Sequence, residues 1–241
     1  IATLKEEARI AMRLAHQHIV HLHNLEKSGI NYFLVMEYIE GETFRDLLQK
    51  HGRLSLESLV QIVEVCSDAI SYAHRQKVLH NDLKPENLLL NNEGVLKIID
   101  FGISCLINTK QEGYIMGTPD YMSPEQIRGE TLDVRTDEYS MAVIMYELLS
   151  GKSPFPPGCG FQDILGLLPA RFPLAPEPLQ IVLARATAPI REDRYESVRE
   201  FADAFMQAAA SMPSEEPAAD TSEPNAQGSP NNTPPIPQIR A

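Results

Sequence analysis

Hydrophobic positions recur at helical spacing in several parts of the chain. From Asp137 to Leu149 apolar residues dominate, so the helix predicted there is expected to be buried on nearly all sides. A run of five residues from Tyr32 to Met36 instead predicts a buried strand. The other predicted helices cover residues 4–15, the stretch that follows Ser55, residues 177–187 and residues 198–210.

Two short apolar runs, 88–90 and 95–99, flank a turn sequence at residues 91–94 that is typical of a β-hairpin. If the two runs pair antiparallel about this turn, Asn87 and Asp100 lie at the same open end of the hairpin. The pattern therefore predicts that two oxygen-bearing side chains converge there.

The composition changes near residue 212. Beyond it the chain is rich in Pro, Ser, Asn, Glu and Ala, with almost no large apolar residue before Ile236. Such a segment buries too little apolar surface to offset the entropy of ordering. Residues 212–241 are therefore predicted to be a disordered, Pro-rich tail or linker.

Charge and cysteine content restrict the partners and the compartment. The formal net charge is -12, and no dense cluster of Lys and Arg is present, so nucleic acid is not an expected partner. Three widely spaced cysteines fit neither a disulfide framework nor a zinc site and indicate a reducing compartment. No run approaches the roughly twenty apolar residues of a membrane helix. A cytoplasmic location is expected.

The segment His80-Asn81-Asp82-Leu83-Lys84-Pro85-Glu86-Asn87 is followed by Asp100-Phe101-Gly102. Met36-Glu37-Tyr38 precedes them, and Gly117-Thr118-Pro119 leads into Ser123-Pro124-Glu125. In this order and spacing the motifs resemble the eukaryotic-type protein serine/threonine kinase family, most closely its bacterial members. The resemblance covers residues 1 to about 210.

The resemblance implies an α+β, protein-kinase-like fold. Residues 1–38 would be the remainder of a truncated small lobe, a helix plus strands, and residues 39–211 a complete, mainly helical large lobe. It also implies transfer of the γ-phosphoryl group of ATP to Ser and Thr hydroxyls of protein substrates, with Mg²⁺ as cofactor. Lys84, together with Thr118 before Pro119, resembles the Ser/Thr-specific branch rather than the Tyr-specific one.

Within the resemblance, Asp82 would accept the proton of the substrate hydroxyl and Lys84 would stabilise the transferred phosphate. Asn87 and Asp100 would hold Mg²⁺, which prefers oxygen ligands.

Nucleotide-binding residues are also implied. The backbone of Glu37 and Ile39 would bind adenine, Met36 would guard the pocket behind it, and Leu89 would form its floor. Ordinary core packing is the alternative interpretation for each of these residues. For Met36 and Leu89 both interpretations can hold at once, because an adenine site is a gap in the core. Glu7 would pair with a strand Lys.

The sequence departs from the family in front of Glu7, where it contains neither the Gly-rich loop nor the strand Lys. Either the chain is a fragment, or it is a noncatalytic scaffold of the same fold that binds partners. Asp82, Lys84, Asn87 and Asp100 are all present, which favours the fragment. We expect the full-length protein to phosphorylate substrates and this fragment to be inactive. Tethering at the inner membrane face through other regions is an alternative to a purely cytoplasmic location.

A small-molecule kinase of the antibiotic-phosphorylating type is a further alternative. The segment from Thr118 to Glu125 argues against it, because in the family this segment shapes a groove for a protein chain.

Asn81 stands where most of the family has an Arg that binds a phosphorylated loop residue, so activation by phosphorylation at Thr109 or Tyr114 is expected to be weak or absent. Structural roles are implied for three other residues. Glu125 and Arg194 would form a buried ion pair, and Asp137 would hold the backbone of the loop that carries Asp82.

Overall fold

The computed structural model describes residues 8–101, 119–168, 170–212 and residue 239. Its strands form two small antiparallel sheets. In the first, β1 pairs with β2; in the second, β4 lies between β3 and β5. The strands are β1 (Leu22–Ser28), β2 (Asn31–Met36), β3 (Gly41–Thr43), β4 (Leu88–Asn91) and β5 (Leu96–Ile98).

Helices are the main regular structure in the described residues after β3. They are α1 (Phe44–His51), α2 (Leu56–Arg75), α3 (Pro124–Arg128), α4 (Val134–Ser150), α5 (Phe161–Gly166), α6 (Glu177–Ala186) and α7 (Val198–Ala210). Short 3₁₀ turns lie at Pro85–Asn87, Pro119–Tyr121 and Arg191–Asp193. The helices predicted from the sequence after residue 55 are all present.

Side chains at the helix termini explain where several helices begin and end. Thr43 precedes α1 and forms a reciprocal capping box with Asp46, which satisfies two backbone N–H groups of the first turn. Ser55 caps α2 by accepting from the backbone of Ser58. Gly151 ends α4 with a φ of 72°, a left-handed conformation that glycine adopts readily.

Helix α4 is at the centre of the core. As predicted, it is buried nearly all round, and its residues from Met141 to Leu148 are almost inaccessible to solvent. Helices α2, α6 and α7 pack against it. Because every side of α4 contacts protein, it provides a rigid base on which the loops of the candidate site rest.

Two predictions for the first part of the chain need correction. Strand β2 is present, but it is not buried: 52% of Phe33 is exposed and 38% of Val35. Among the described residues β2 has β1 as its single strand neighbour, which leaves alternate side chains open to solvent. The helix predicted to reach residue 15 ends at residue 11, and residues 12–13 form a turn.

The segment ahead of β1 joins the hairpin of β4 and β5 through backbone hydrogen bonds. Ile98 N donates to His18 O (2.8 Å), and Val20 N donates to Ile98 O (2.9 Å), so Ile19 and Ile98 form a parallel bridge. The His18 ring reinforces this joint, because its Nδ1 lies 2.8 Å from Leu96 O.

The predicted tail lies outside the described residues except for Met212 and Ile239, and Ile239 is buried against the core. Within the described part of the chain, no helix is both long and apolar enough to cross a membrane.

Candidate active site

The hairpin of β4 and β5 has the pairing that its turn sequence predicts. Leu88 lies opposite Ile98, and Ile99 N donates to Asn87 O over 3.0 Å. Asp100 is the next residue along the chain, so Asn87 and Asp100 leave the same open end of the hairpin. The fold therefore brings these two predicted site residues to one edge of the sheet.

Asp82, Lys84 and Asn87 contact one another. Lys84 Nζ lies 2.7 Å from Asp82 Oδ2. Asn87 is buried, and its Nδ2 donates to Asp82 O (2.7 Å) and to Asp82 Oδ2 (3.3 Å). Since the amide nitrogen faces Asp82, the amide oxygen of Asn87 is directed elsewhere and can act as a ligand.

The surroundings of the Asp100 carboxylate favour a bound cation. Burial raises its pKa, and the nearby charge of Asp82 raises it further, against the opposing effects of His80 and Lys84. A divalent ion would remove this penalty. The Asp100 carboxylate and the Asn87 amide are hard oxygen donors, so the residues fit Mg²⁺. No three His, Cys, Asp or Glu side chains within the described ranges form a metal site by themselves.

Asp137 on α4 holds the loop from below, as expected. Its side chain is fully buried and accepts hydrogen bonds from the backbone N–H groups of His80 and Asn81, both at 2.9 Å. His74 Nε2 lies 2.7 Å from Asp137 Oδ2, the oxygen that also accepts from His80 N. Burial alone would raise the pKa of Asp137, but the hydrogen bond and charge of His74 lower it. Asp137 therefore stays ionised and fixes the start of the loop.

His80 also ties the loop to the hairpin. Its Nε2 lies 2.8 Å from Ile99 O, and its ring packs edge-on against Phe101 with 4.6 Å between ring centroids. Asn81 has a φ of 64°, and Asn is among the residues that tolerate this left-handed conformation best. The loop thus reaches Asp82 through a backbone turn that the sequence permits.

Of the predicted nucleotide-binding residues, Met36 lines a cleft that Asp100 also lines. Met36 lines this cleft together with Phe101 and Ala11. No hydrogen-bond partner occupies the backbone carbonyl of Glu37 or the N–H of Ile39 within the described part of the chain, so both could serve a ligand. Leu89 is half-buried and pairs with Lys97 and Thr43 in the sheet. Glu7, Thr109, Tyr114 and the Gly117-Thr118 pair lie outside the described residues.

The side chain of Glu37 has partners that the sequence reasoning did not anticipate. Its Oε1 accepts from Lys97 Nζ (2.9 Å) and from His21 N (2.8 Å). Burial opposes ionisation of Glu37, yet these contacts lower its pKa. The carboxylate therefore fastens the end of β2 to β5. The predicted contact with adenine concerns only the backbone of Glu37.

Sequence reasoning also missed Arg45, which lies in the first turn of α1. Its Nε donates to Glu86 Oε1 and its Nη1 to Glu147 Oε1, both at 2.8 Å. Its Nη2 donates to the hydroxyl of Tyr121. A cation is disfavoured in the first turn of a helix, and that mismatch was a signal that Arg45 has another function.

The predicted ion pair of Glu125 and Arg194 is confirmed. Arg194 Nη1 and Nη2 each donate to a different oxygen of Glu125 over 2.8 Å. Both residues are almost completely buried. The pair joins α3 to the segment that precedes α7.

Comparison with known proteins identifies the class. The model of the protein kinase domain family matches residues 2–166. The chain belongs to this family, and the α+β, kinase-like fold inferred from its motifs is confirmed.

Three relatives of the chain are named as serine/threonine-protein kinases. The chain is 31% identical over 223 residues to the probable serine/threonine-protein kinase PknB of Bifidobacterium longum, covering 83% of this chain and 32% of the relative. It is 31% identical over 210 residues to PrkC of Bacillus subtilis (83% and 32%) and 36% identical over 199 residues to PknL of Mycobacterium tuberculosis (78% and 50%). The chain thus spans between about a third and a half of the length of these relatives.

Proposed function

We propose that the protein containing this chain is a serine/threonine protein kinase that transfers the γ-phosphoryl group of ATP to Ser and Thr hydroxyls of proteins. The observation that carries the proposal is the contact of Asp82 with both Lys84 and Asn87, at the end of the hairpin that bears Asp100. Phosphoryl transfer requires positioned reactants and neutralised charge more than covalent chemistry, and this arrangement provides both.

Each residue has a defined task in this proposal. Asp82 takes the proton of the substrate hydroxyl, and Lys84 places a positive charge beside the transferred group. Asn87 and Asp100 hold Mg²⁺, which when bound neutralises charge on the phosphate oxygens.

The nucleotide would occupy the cleft beside Met36. The Glu37 carbonyl and the Ile39 N–H, which have no backbone partner among the described residues, support adenine binding there. Leu89 would form the floor of the adenine site. The proposed role of Glu7 rests on the motif alone.

The domain organisation is proposed on the same basis. Residues 1–38 belong to the small lobe, residues 39–211 form the large lobe, and residues 212–241 form a tail or linker. The protein acts in the cytoplasm or at the inner face of the membrane, on substrates that are proteins rather than nucleic acids.

The proposal is tested with protein expressed from the complete reading frame, incubated with labelled ATP, Mg²⁺ and a generic basic protein. Asp82→Asn is expected to lower the rate of transfer roughly 100- to 10,000-fold, the usual contribution of a positioned base. Asp203→Asn removes an exposed carboxylate that pairs with Arg199 and is the matched control. It should leave the rate unchanged.

Two results would contradict the proposal. Transfer that is unaffected by Asp82→Asn would remove the proposed base. Label found on Tyr and not on Ser or Thr would refute the substrate class. Magnesium-dependent nucleotide binding is measured alongside, because Asp82→Asn should retain it while Asp100→Asn should weaken it.

A further inference from the structure

Arg45 connects four separate elements of the fold. It lies on α1 and reaches Glu86 in the 3₁₀ turn Pro85–Asn87, Glu147 near the end of α4, and Tyr121 in the 3₁₀ turn that precedes α3. Tyr121 in turn donates its hydroxyl proton to Glu147. A closed set of hydrogen bonds therefore joins parts of the chain that are distant in sequence.

This set of bonds complements the contacts of Asp137. Asp137 fixes the start of the loop directly, through the backbone N–H groups of His80 and Asn81. Glu147 lies on the same helix, α4, and reaches the end of the loop indirectly, through Arg45 and then Glu86. Helix α4 thus holds the loop at both ends, and Arg45 is the connection at the second end.

The geometry requires an arginine. The planar guanidinium presents several N–H donors in a fixed fork, and here they are directed to two carboxylates and a phenol. Burial opposes the charge of Arg45, but the hydrogen bonds with Glu147 and Glu86 raise its pKa, so it stays charged. A lysine would keep the charge but lacks the rigid fork.

We propose that Arg45 is a positioning residue, which fixes the turn Pro85–Asn87 and Tyr121 in one arrangement so that Lys84 and Asn87 keep their contacts with Asp82. This inference rests on the proposed kinase function. Glu86 and Asn87 are neighbours in the same short turn, so a rotation that frees Glu86 also displaces the amide that holds Asp82. A displacement of about 1 Å at a reacting group can lower a rate about 100-fold.

The position of Tyr121 extends the inference to the protein substrate. Tyr121 is buried, its carbonyl accepts from Ser140 Oγ (2.7 Å), and it directly precedes the segment that leads to Glu125. If this segment shapes the groove for a protein chain, loosening Tyr121 will affect protein binding and leave ATP binding unchanged. A change in the KM for the protein substrate, with the KM for ATP unchanged, would therefore indicate that the hydrogen bonds of Arg45 position Tyr121.

The test compares Arg45→Lys with the unchanged protein, both made from the complete reading frame. We expect kcat to fall roughly ten- to a hundred-fold, the KM for the protein substrate to rise, and the KM for ATP to stay within about twofold. Backbone amide exchange over residues 82–88 should become faster. The matched control is Lys50→Met. Lys50 lies on the same helix as Arg45, and its replacement removes an exposed ion pair with Glu42 of β3, so none of these values should change.

A second variant covers the case in which Arg45→Lys does not fold. Glu86 has a side chain that is 42% exposed, so Glu86→Gln should fold, and it weakens only the contact with the turn. It is expected to reproduce the faster exchange over residues 82–88 and part of the loss in kcat.

Unchanged kcat and unchanged exchange in both variants would overturn the role of Arg45. Absence of phosphoryl transfer in the unchanged protein would instead overturn the proposed function, and the exchange measurement would still decide whether Arg45 holds the turn.

Discussion

The buried pair of Glu125 and Arg194 allows a quantitative prediction about stability. Arg194→Met should lower the free energy of unfolding by about 3–5 kcal/mol, because it leaves the Glu125 carboxylate buried without its cation. Arg194 also donates to the carbonyls of Arg135 (3.0 Å) and Ala188 (2.9 Å), and these lose a donor as well. The loss should therefore lie in the upper part of that range.

Urea unfolding followed by far-ultraviolet circular dichroism measures this loss, since the chain contains no Trp whose fluorescence could be used. The matched control is Arg199→Met, which breaks an exposed pair with Asp203 and should cost less than about 0.5 kcal/mol. A loss below about 1 kcal/mol for Arg194→Met would refute the reasoning, because it would mean that Glu125 finds water or another cation at no cost.

The same pair predicts a dependence on pH. Burial would raise the pKa of Glu125, but the hydrogen bond and charge of Arg194 lower it below the ordinary value. A carboxyl whose pKa is lower in the folded than in the unfolded state stabilises the fold at neutral pH. That contribution is lost as the pH falls through the lowered value. The unchanged protein should therefore lose more stability in acid than Arg194→Met does.

Three further predictions concern single positions. Burial raises the pKa of Glu138 to about 8, so stability should fall as the pH rises from about 4.5 to about 8, and Glu138→Gln should flatten this dependence when unfolding is measured across that range. Gly151→Ala should destabilise by at least about 2 kcal/mol in urea unfolding, because the residue has a left-handed φ and its Cβ would lie 2.1 Å from Gly52 O. Thr43→Ala removes the cap of α1 and should lower the free energy of unfolding by about 1 kcal/mol. In the same urea experiment this loss must be smaller than the loss caused by Arg194→Met.

Local sequence signals were sufficient to predict structure where the interacting residues are close in sequence. The turn at residues 91–94 predicted the pairing of β4 and β5. Asp82, Lys84 and Asn87 lie within one short segment, and their roles were implied by the motif that this segment contains. Ser55 predicted the beginning of α2, and Gly151 predicted the end of α4.

Interactions between distant segments could not be read in this way. Arg45 finds Glu86, Tyr121 and Glu147 at separations of 41, 76 and 102 residues, and nothing in the local pattern specifies those partners. The exposure of β2 has the same origin. An apolar run such as YFLVM predicts a strand, but whether that strand is covered depends on neighbours that come from elsewhere in the chain.

The parallel bridge between Ile19 and Ile98 has a consequence for communication within the molecule. Ile98 precedes Asp100 by a single intervening residue, so the backbone that orients this carboxylate is hydrogen-bonded to the segment that enters β1. A ligand that favours one orientation of Asp100 must then also favour one placement of His18 and Val20. Thermodynamic linkage is reciprocal. A protein that binds at the entrance to β1 and a ligand that binds at Asp100 should therefore change each other's affinity by the same factor.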